Sequence, residues 1–319
     1  MSYFAQLLNL MVEVMLPLSL LVGVGAVWPK IFPDAPVEAM RTQLNRLVLY
    51  LFYPCILFAV AASTPITGAL LTVPLLVGLA SLASGGLLYW LLYHSPVGVG
   101  LKDTTRAILV VGGMFGNTFN IGAPVLVFFY GPDAPRYAVF NDMLMTMPVV
   151  WSVGVWICTR LGSHRNEPGP SVLRIMFTMP PIWAFIAGTA IQQLGLAYPP
   201  LVAATKFIGQ ATIPVILFVL GMTIPWDRLT PKREILTVTA VKLLATPLIT
   251  WGLAWLLFSP LEEAQYAAVV EAATPGMVTA LLLADRFRLD HGAAALLIGW
   301  STILFWITLP LGMAVGLIR

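Results

Sequence analysis

The sequence predicts an all-α polytopic membrane protein with ten transmembrane helices, arranged as two inverted five-helix repeats. Of its 319 residues, 59% are hydrophobic and 10% are charged, whereas soluble domains carry roughly 25% charged residues. This composition is typical of a chain embedded in a bilayer. The longest polar connector, residues 160–174, is too short for a soluble domain, so an appended catalytic domain is excluded.

Ten apolar segments have about the 20 residues that a helix needs to cross the hydrocarbon core. Their approximate limits are 4–28, 43–62, 70–93, 105–130, 137–159, 175–196, 202–224, 235–258, 264–284 and 292–317. The N-terminus lacks a basic region ahead of a short apolar core and cleavage site, so we expect the first segment to be a retained helix and not a removed signal peptide.

Proline positions indicate an internal repeat. The sequence Pro-x-Ile-Leu-Phe begins at Pro54 in span two and again at Pro214 in span seven, and prolines also match between spans four and nine, at Pro124 and Pro275. Five spans in each half make the second half enter the membrane from the opposite side. We therefore expect repeats at 1–160 and 175–319, joined by a cytoplasmic connector at 161–174. The alternative is that the prolines only kink a helical bundle.

Two segments carry helix-breaking residues at mid-membrane depth, at matching places in the two halves. They are Gly-Asn-Thr-Phe-Asn-Ile-Gly-Ala-Pro at 116–124 and Glu-Ala-Ala-Thr-Pro-Gly at 271–276. In lipid an interrupted helix is tolerated only where it is buried in protein or lines a wet cavity. A pair of such breaks is the best sequence indication of a transport site at the bilayer centre.

The breaks supply the candidate binding residues. We expect substrate contacts from Asn117, Thr118, Asn120, Thr274 and Gly276. We expect the crossing of the two broken helices to be set by Gly116, Gly122, Pro124 and Pro275. The alternative for the polar side chains is that they only satisfy the broken backbone.

The electrostatics of the breaks allow two kinds of ligand. Half-helices that begin after a break direct backbone N–H groups, with partial positive charge, toward the centre, which favours an anionic group. The same breaks expose carbonyl oxygens that could hold Na⁺.

Four ionisable residues lie inside the spans or near their ends: Arg46, Asp142, Lys242 and Glu271. Such charges are expensive in a membrane and are functional candidates, here for coupling or charge support. The alternative for Arg46 is that it extends to the cytoplasmic interface, and for Lys242 interfacial exposure and internal pairing are both open. Asp142 and Glu271 indicate a proton or Na⁺ site or, alternatively, structural bridges to neighbouring hydroxyl or basic groups.

Charge distribution predicts the orientation. Of the 17 lysines and arginines, thirteen fall on one side, Arg136, Lys206 and Arg319 fall on the other, and Lys242 is inside a span. Cytoplasmic loops collect Lys and Arg, so we expect both termini to be non-cytoplasmic, in a plasma or inner membrane.

Other functions have no support in the sequence. The three histidines match no metal-ligand spacing, and no phosphate loop, nucleophile elbow or basic patch interleaved with aromatics is present. We therefore expect no enzyme activity, no metal, no nucleic-acid partner and no cofactor other than Na⁺ or H⁺ as a coupling ion.

The chain resembles the auxin efflux carrier family, which includes plant auxin carriers and bacterial permeases proposed for malate and malonate. The resemblance covers nearly the whole chain. It is carried by Asn45-Arg46 with Val48 and Pro54, by Asn117-Thr118 with Gly122 and Pro124, and by Ala272-Ala273-Thr274-Pro275. Gly276-Met277 replaces the Gln-Gly that follows the proline in plant carriers, and the central connector is short.

This resemblance implies an elevator-type fold like that of sodium/proton antiporters and bile-acid symporters. Spans 1, 2, 6 and 7 would form a scaffold domain, and spans 3–5 and 8–10 a transport domain, with spans four and nine crossing at Pro124 and Pro275. Asn117 and freed backbone groups would hold the substrate carboxylate.

We therefore expect a secondary active transporter of a small organic anion, such as malate, malonate or an auxin-like carboxylate, working by alternating access. The alternatives are a Na⁺-coupled bile-acid-type symporter and a substrate sensor that does not translocate. The expected partners are the anion and the lipid bilayer, and a homodimer is one expectation because dimers are common for such folds.

Overall fold

The computed structural model describes residues 3–161 and 177–318, which form helices joined by short connections. The helices are α1 (Leu7–Ile31), α2 (Val37–Ser63), α3 (Gly68–His94), α4 (Asp103–Met114), α5 (Thr118–Tyr130), α6 (Pro135–Arg160), α7 (Pro180–Gln193), α8 (Pro199–Thr223), α9 (Arg233–Phe258), α10 (Glu263–Ala272), α11 (Thr279–Arg286) and α12 (His291–Ala314).

Seven of these helices, α1, α2, α3, α6, α8, α9 and α12, are long and apolar enough to cross a membrane. They have 24 to 27 residues each, and at about 1.5 Å per residue each exceeds the roughly 30 Å of the hydrocarbon core. The chain is therefore an integral membrane protein, as the composition predicts.

The remaining three predicted spans differ from this pattern for local reasons. The segment at 105–130 is divided into α4 and α5, and the segment at 264–284 into α10 and α11, because each contains a break. The segment at 175–196 begins outside the described residues and continues as α7. Apart from Leu161, the predicted connector at 161–174 lies outside the described residues, as does Arg319.

Wide π-type turns precede prolines in several helices. Five of the six π segments among the described residues end two positions before a proline: Leu10–Met15, Val48–Phe52, Thr118–Gly122, Asp142–Thr146 and Val241–Ala245. Proline lacks an N–H and its ring collides with the preceding turn, so the helix widens locally. Two of the predicted charged residues, Asp142 and Lys242, lie in these turns.

The helices contact one another in two groups. In the first, α1 packs against α8, and α2 packs against α7 and α8. In the second, α3 contacts α4, α6, α9 and α10, and α12 packs against α4 and α9. Glycines allow the close approach within the first group: a Cβ on Gly188 of α7 would lie 2.6 Å from the Phe58 carbonyl oxygen of α2, and Gly25 and Gly221 face each other between α1 and α8.

Candidate functional site

The two helix breaks are joined by backbone hydrogen bonds. The Asn117 N–H donates to the Pro275 carbonyl at 2.7 Å, and the Met277 N–H donates to the Phe115 carbonyl at 3.2 Å. These bonds form an isolated antiparallel bridge between Gly116 and Gly276. Backbone N–H and carbonyl groups that lose their helical partners at one break are thus hydrogen-bonded to the other break. An interrupted helix in lipid needs such partners for its backbone.

Glycine is required at the crossing because the chains approach closely. A Cβ on Gly116 would collide with the Thr274 hydroxyl and lie 3.1 Å from the Lys242 ammonium, and a Cβ on Gly276 would lie 3.2 Å from the Gly112 carbonyl oxygen. The crossing is therefore centred on Gly116 and Gly276, with Pro275 inside it. Pro124, expected at the same point, lies further along in α5, after the π turn.

Asn117 presents an uncommitted hydrogen-bond donor beside the start of α5. Its side chain is 6% exposed, and its Oδ1 accepts a hydrogen bond from Asn120 Nδ2 at 2.7 Å. Within the described part of the chain, the Asn117 amide nitrogen donates to no protein atom, and no side chain caps the first turn of α5. The amide and the uncapped N–H groups together form an environment suited to a carboxylate.

Thr118, Thr274 and Gly276 direct their polar groups to internal partners. The Thr118 hydroxyl donates to Asp142 Oδ1. The Thr274 hydroxyl donates to the Glu271 carbonyl at 2.7 Å, and the Gly276 N–H donates to Ser301 Oγ at 3.0 Å. These groups are therefore occupied by the protein itself, which leaves the buried Asn117 amide nitrogen and the partly exposed Asn120 as the remaining polar side-chain groups of the predicted set.

Asp142 links the first break to helix α2. It accepts hydrogen bonds from the Thr118 hydroxyl and from the Tyr53 hydroxyl, the latter at 2.7 Å. The Tyr53 ring also packs against Phe119, with ring centroids 5.0 Å apart. Both Asp142 partners are hydroxyl groups, as in the structural-bridge alternative, and the bridge joins the two groups of helices directly beside the break.

Glu271 is a fully buried carboxyl group with an unpartnered oxygen. It has 0% exposure, and its Oε2 accepts from Asn141 Nδ2 at 3.2 Å. Among the residues that the structure describes, neither Glu271 Oε1 nor Asn141 Oδ1 has a hydrogen-bond partner. A Cβ on Gly122 would lie 2.5 Å from Glu271 Oε1, so the glycine leaves room for the carboxyl group against α5. Because an unsatisfied buried polar atom costs about 1–3 kcal/mol, a proton or a small cation is the natural partner of this oxygen.

Lys242 is paired internally and does not extend to the membrane interface. Its side chain is only 1% exposed, and its ammonium donates to the Ala272 carbonyl oxygen at 2.6 Å. Ala272 is the last residue of α10, so the ammonium lies at the second break, next to Gly116. Of the two alternatives left open by the sequence, internal pairing is the one observed.

Arg46 is not part of this cluster. Its side chain is exposed on α2, and it forms no hydrogen bond or ion pair with any residue that the structure describes. Its position corresponds to the interfacial alternative.

A cavity opens between the two groups of helices, at the end of α2 and the beginnings of α3, α6 and α8. Its volume is about 550 Å³, and its lining includes Ile56, Thr64, Arg136 and Lys206. Small-molecule sites typically measure about 300–1,000 Å³. Ile56 is one helical turn from Tyr53, so the cavity approaches the Tyr53–Asp142–Thr118 bridge. Three basic residues are predicted on the non-cytoplasmic side. The structure describes two of them, Arg136 and Lys206, and both line this cavity.

Three site residues were not predicted: Tyr53, Asn141 and Ser301. Each lies in an apolar segment and binds a residue of the site across a helix interface. Tyr53 directly precedes Pro54, the first residue of the repeated Pro-x-Ile-Leu-Phe sequence. Polar side chains within spans are the signal that would have identified Asn141 and Ser301.

Comparison with known proteins supports a transport role. Residues 9–313 match the family model described as membrane transport protein. An uncharacterized transporter of Methanothermobacter thermautotrophicus is 27% identical over 280 residues, covering 86% of this chain and 88% of that protein. A second uncharacterized transporter, from Methanocaldococcus jannaschii, is 26% identical over 292 residues, covering 87% of this chain and 90% of that protein.

Proposed function

The chain belongs to the membrane transport protein family, the auxin efflux carrier family, and we propose that it is a secondary active transporter of a small organic anion. The observation that carries this proposal is the joined pair of helix breaks beside an uncommitted Asn117 amide. Broken helices that meet inside a membrane protein are the usual setting of transporter substrate sites.

The proposed architecture has ten spans in two inverted repeats. Spans four and nine are the broken pairs α4–α5 and α10–α11, and span six includes α7. The proposed scaffold contains α1, α2, α7 and α8, and the proposed transport domain contains the other helices. The contacts within each group support this division. In an elevator mechanism the second group would carry the breaks past the first, and both termini would face away from the cytoplasm of a plasma or inner membrane.

The proposed substrate carries a carboxylate. The Asn117 amide nitrogen and the N–H groups at the start of α5 supply hydrogen-bond donors for this carboxylate. Asp142 does not compete for these donors, because it already accepts hydrogen bonds from two hydroxyl groups. Malate, malonate and an auxin-like carboxylate all present this group. The cavity that Ile56 lines, one helical turn from Tyr53, has a volume large enough for any of them.

The proposed coupling group is Glu271. Its Oε1 is buried and has no hydrogen-bond partner among the described residues. Glu271 directly precedes Ala272, the last residue of α10. Protonation would give this oxygen a hydrogen and remove the buried charge. Na⁺ coupling, as in bile-acid-type symporters, is the second candidate, and it is favoured by the same unpartnered oxygen.

Uptake into proteoliposomes tests the proposed function. The purified protein is reconstituted, and entry of labelled malonate, malate and indole acetate is measured with and without a proton gradient and with Na⁺ or choline outside. Saturable uptake of at least one carboxylate is the expected result. Saturable binding without uptake would contradict transport and favour a sensor, and flux that does not saturate would favour a channel.

A further inference from the structure

The ammonium group of Lys242 lies where a transporter of this kind would bind a coupling cation. We propose that Lys242 is a tethered cation that takes the place of Na⁺ at the C-terminal end of α10, so that the protein needs no bound sodium. This inference rests on the proposed transport function and concerns the same site.

The end of α10 is a cation-binding environment. The last carbonyls of a helix have no intrahelical partners, and they carry the negative end of the helix dipole. In transporters with broken helices, such ends and unwound carbonyls coordinate the coupling ion. Here the Ala272 carbonyl oxygen accepts a hydrogen bond from Lys242 Nζ at 2.6 Å, so its binding capacity is used by the protein's own ammonium.

The local charge balance also requires a cation. Glu271 precedes Ala272 in the same helix end and is fully buried. Among the described residues, Lys242 makes no ion pair within 4.0 Å, and it is the one lysine or arginine whose side chain is buried. A buried carboxylate without a compensating charge is unfavourable. The Lys242 charge therefore compensates both the helix end and, when it is ionised, the carboxylate.

The surrounding backbone is shaped around the ammonium. Lys242 projects from the π turn Val241–Ala245 of α9, which ends two residues before Pro247. A Cβ on Gly116 would lie 3.1 Å from Lys242 Nζ and 3.3 Å from its Cε. The absence of a side chain at Gly116 thus leaves space for the charged end of Lys242 at the crossing itself, where both breaks are in contact.

Removal of the ammonium group would leave a cation site empty. Lys242→Ala leaves the Ala272 carbonyl without its donor, beside the Thr274 hydroxyl that lies near the same point at Gly116, and both residues are fully or almost fully buried. A small monovalent cation from solution restores the missing charge. The variant is therefore expected to become dependent on Na⁺, whereas a lysine with a purely structural role would give a variant that no cation restores.

The test compares wild type, Lys242→Ala and Lys102→Ala in NaCl and in choline chloride. Lys102 is an exposed lysine at the start of α4 and serves as the matched control. We expect wild type and the control to have the same Tm and the same carboxylate uptake in both salts. For Lys242→Ala we expect uptake in choline to fall by about tenfold or more, and Na⁺ to restore part of the uptake and to raise the Tm.

Two results would overturn the inference: a wild-type protein whose Tm or uptake depends on Na⁺, or a Lys242→Ala variant that responds equally to Na⁺ and choline. If Lys242→Ala cannot be purified, Lys242→Met, which keeps most of the side-chain volume without the charge, is measured in the same way. Absence of wild-type uptake for every carboxylate would refute the proposed function, while the Tm comparison would still decide the role of Lys242.

Discussion

The N–H of Asn117 is hydrogen-bonded to the carbonyl oxygen of Pro275 at 2.7 Å, which joins two helix breaks that lie far apart in the sequence. The residue that presents an uncommitted amide nitrogen is therefore also the residue that fastens the crossing. Any change in the relative position of α5 and α10 moves this amide, so the binding group and the geometry of the breaks are mechanically linked.

Gly116→Ala is expected to disrupt the crossing. The added Cβ would collide with the Thr274 hydroxyl and crowd Lys242, and forced overpacking costs about 1–3 kcal/mol. Thermal unfolding should show a lower Tm, and carboxylate uptake should fall with it. Gly86→Ala is the control, because outside the local helix backbone no atom of the described residues lies within 4 Å of the Cβ it would add. Equal Tm values for the two variants would contradict the close approach at Gly116.

Tyr53→Phe is expected to weaken the bridge between α2 and α6. Loss of the hydroxyl leaves Asp142 with one fewer donor, and a hydrogen bond to a charged group contributes about 1.5–3 kcal/mol. The Tm should fall, and it should not change in Tyr50→Phe, whose ring is exposed. In a double-mutant cycle with Asp142→Asn, the two changes should be non-additive. Additive effects would show that the tyrosine acts independently of Asp142.

Glu271→Gln is expected to remove the dependence of uptake on a proton gradient. The amide keeps the size of the carboxyl group but cannot release a proton, so exchange of substrate across the membrane should persist without gradient-driven accumulation. Glu13→Gln is the control, since Glu13 is an exposed carboxyl group on α1. Gradient-driven accumulation by Glu271→Gln equal to that of wild type would exclude Glu271 as the coupling group.

The sequence identified the breaks and their polar residues because glycine, asparagine and proline at mid-membrane depth have few explanations in lipid. It placed Gly116 at the crossing together with Gly122, Pro124 and Pro275, but it assigned Gly276 to substrate contact. A proline only removes an N–H, whereas close approach of two backbones requires the missing side chains of Gly116 and Gly276. The glycines were therefore the better indicator of where the two chains meet.

The partners of the charged residues could not be obtained from one sequence. The pairs Tyr53–Asp142, Asn141–Glu271 and Lys242–Ala272 join different helices, and three-dimensional packing alone brings them together. For Lys242, distance from the helix end allowed both interfacial exposure and internal pairing. The Lys242 side chain reaches the second break from the π turn before Pro247. Apart from the proline, this turn has no simple sequence signature.

Asn117→Ala provides the most direct measurement of the central claim. Binding and proteoliposome uptake of the carboxylate carried by wild type are compared for Asn117→Ala and for Asn45→Ala, an exposed asparagine on α2. Loss of a hydrogen bond to a charged ligand, about 1.5–3 kcal/mol, predicts affinity lowered by about tenfold or more in Asn117→Ala, with the Tm retained and the control unchanged. Wild-type affinity in a folded Asn117→Ala variant would contradict the assignment of this amide to the substrate carboxylate.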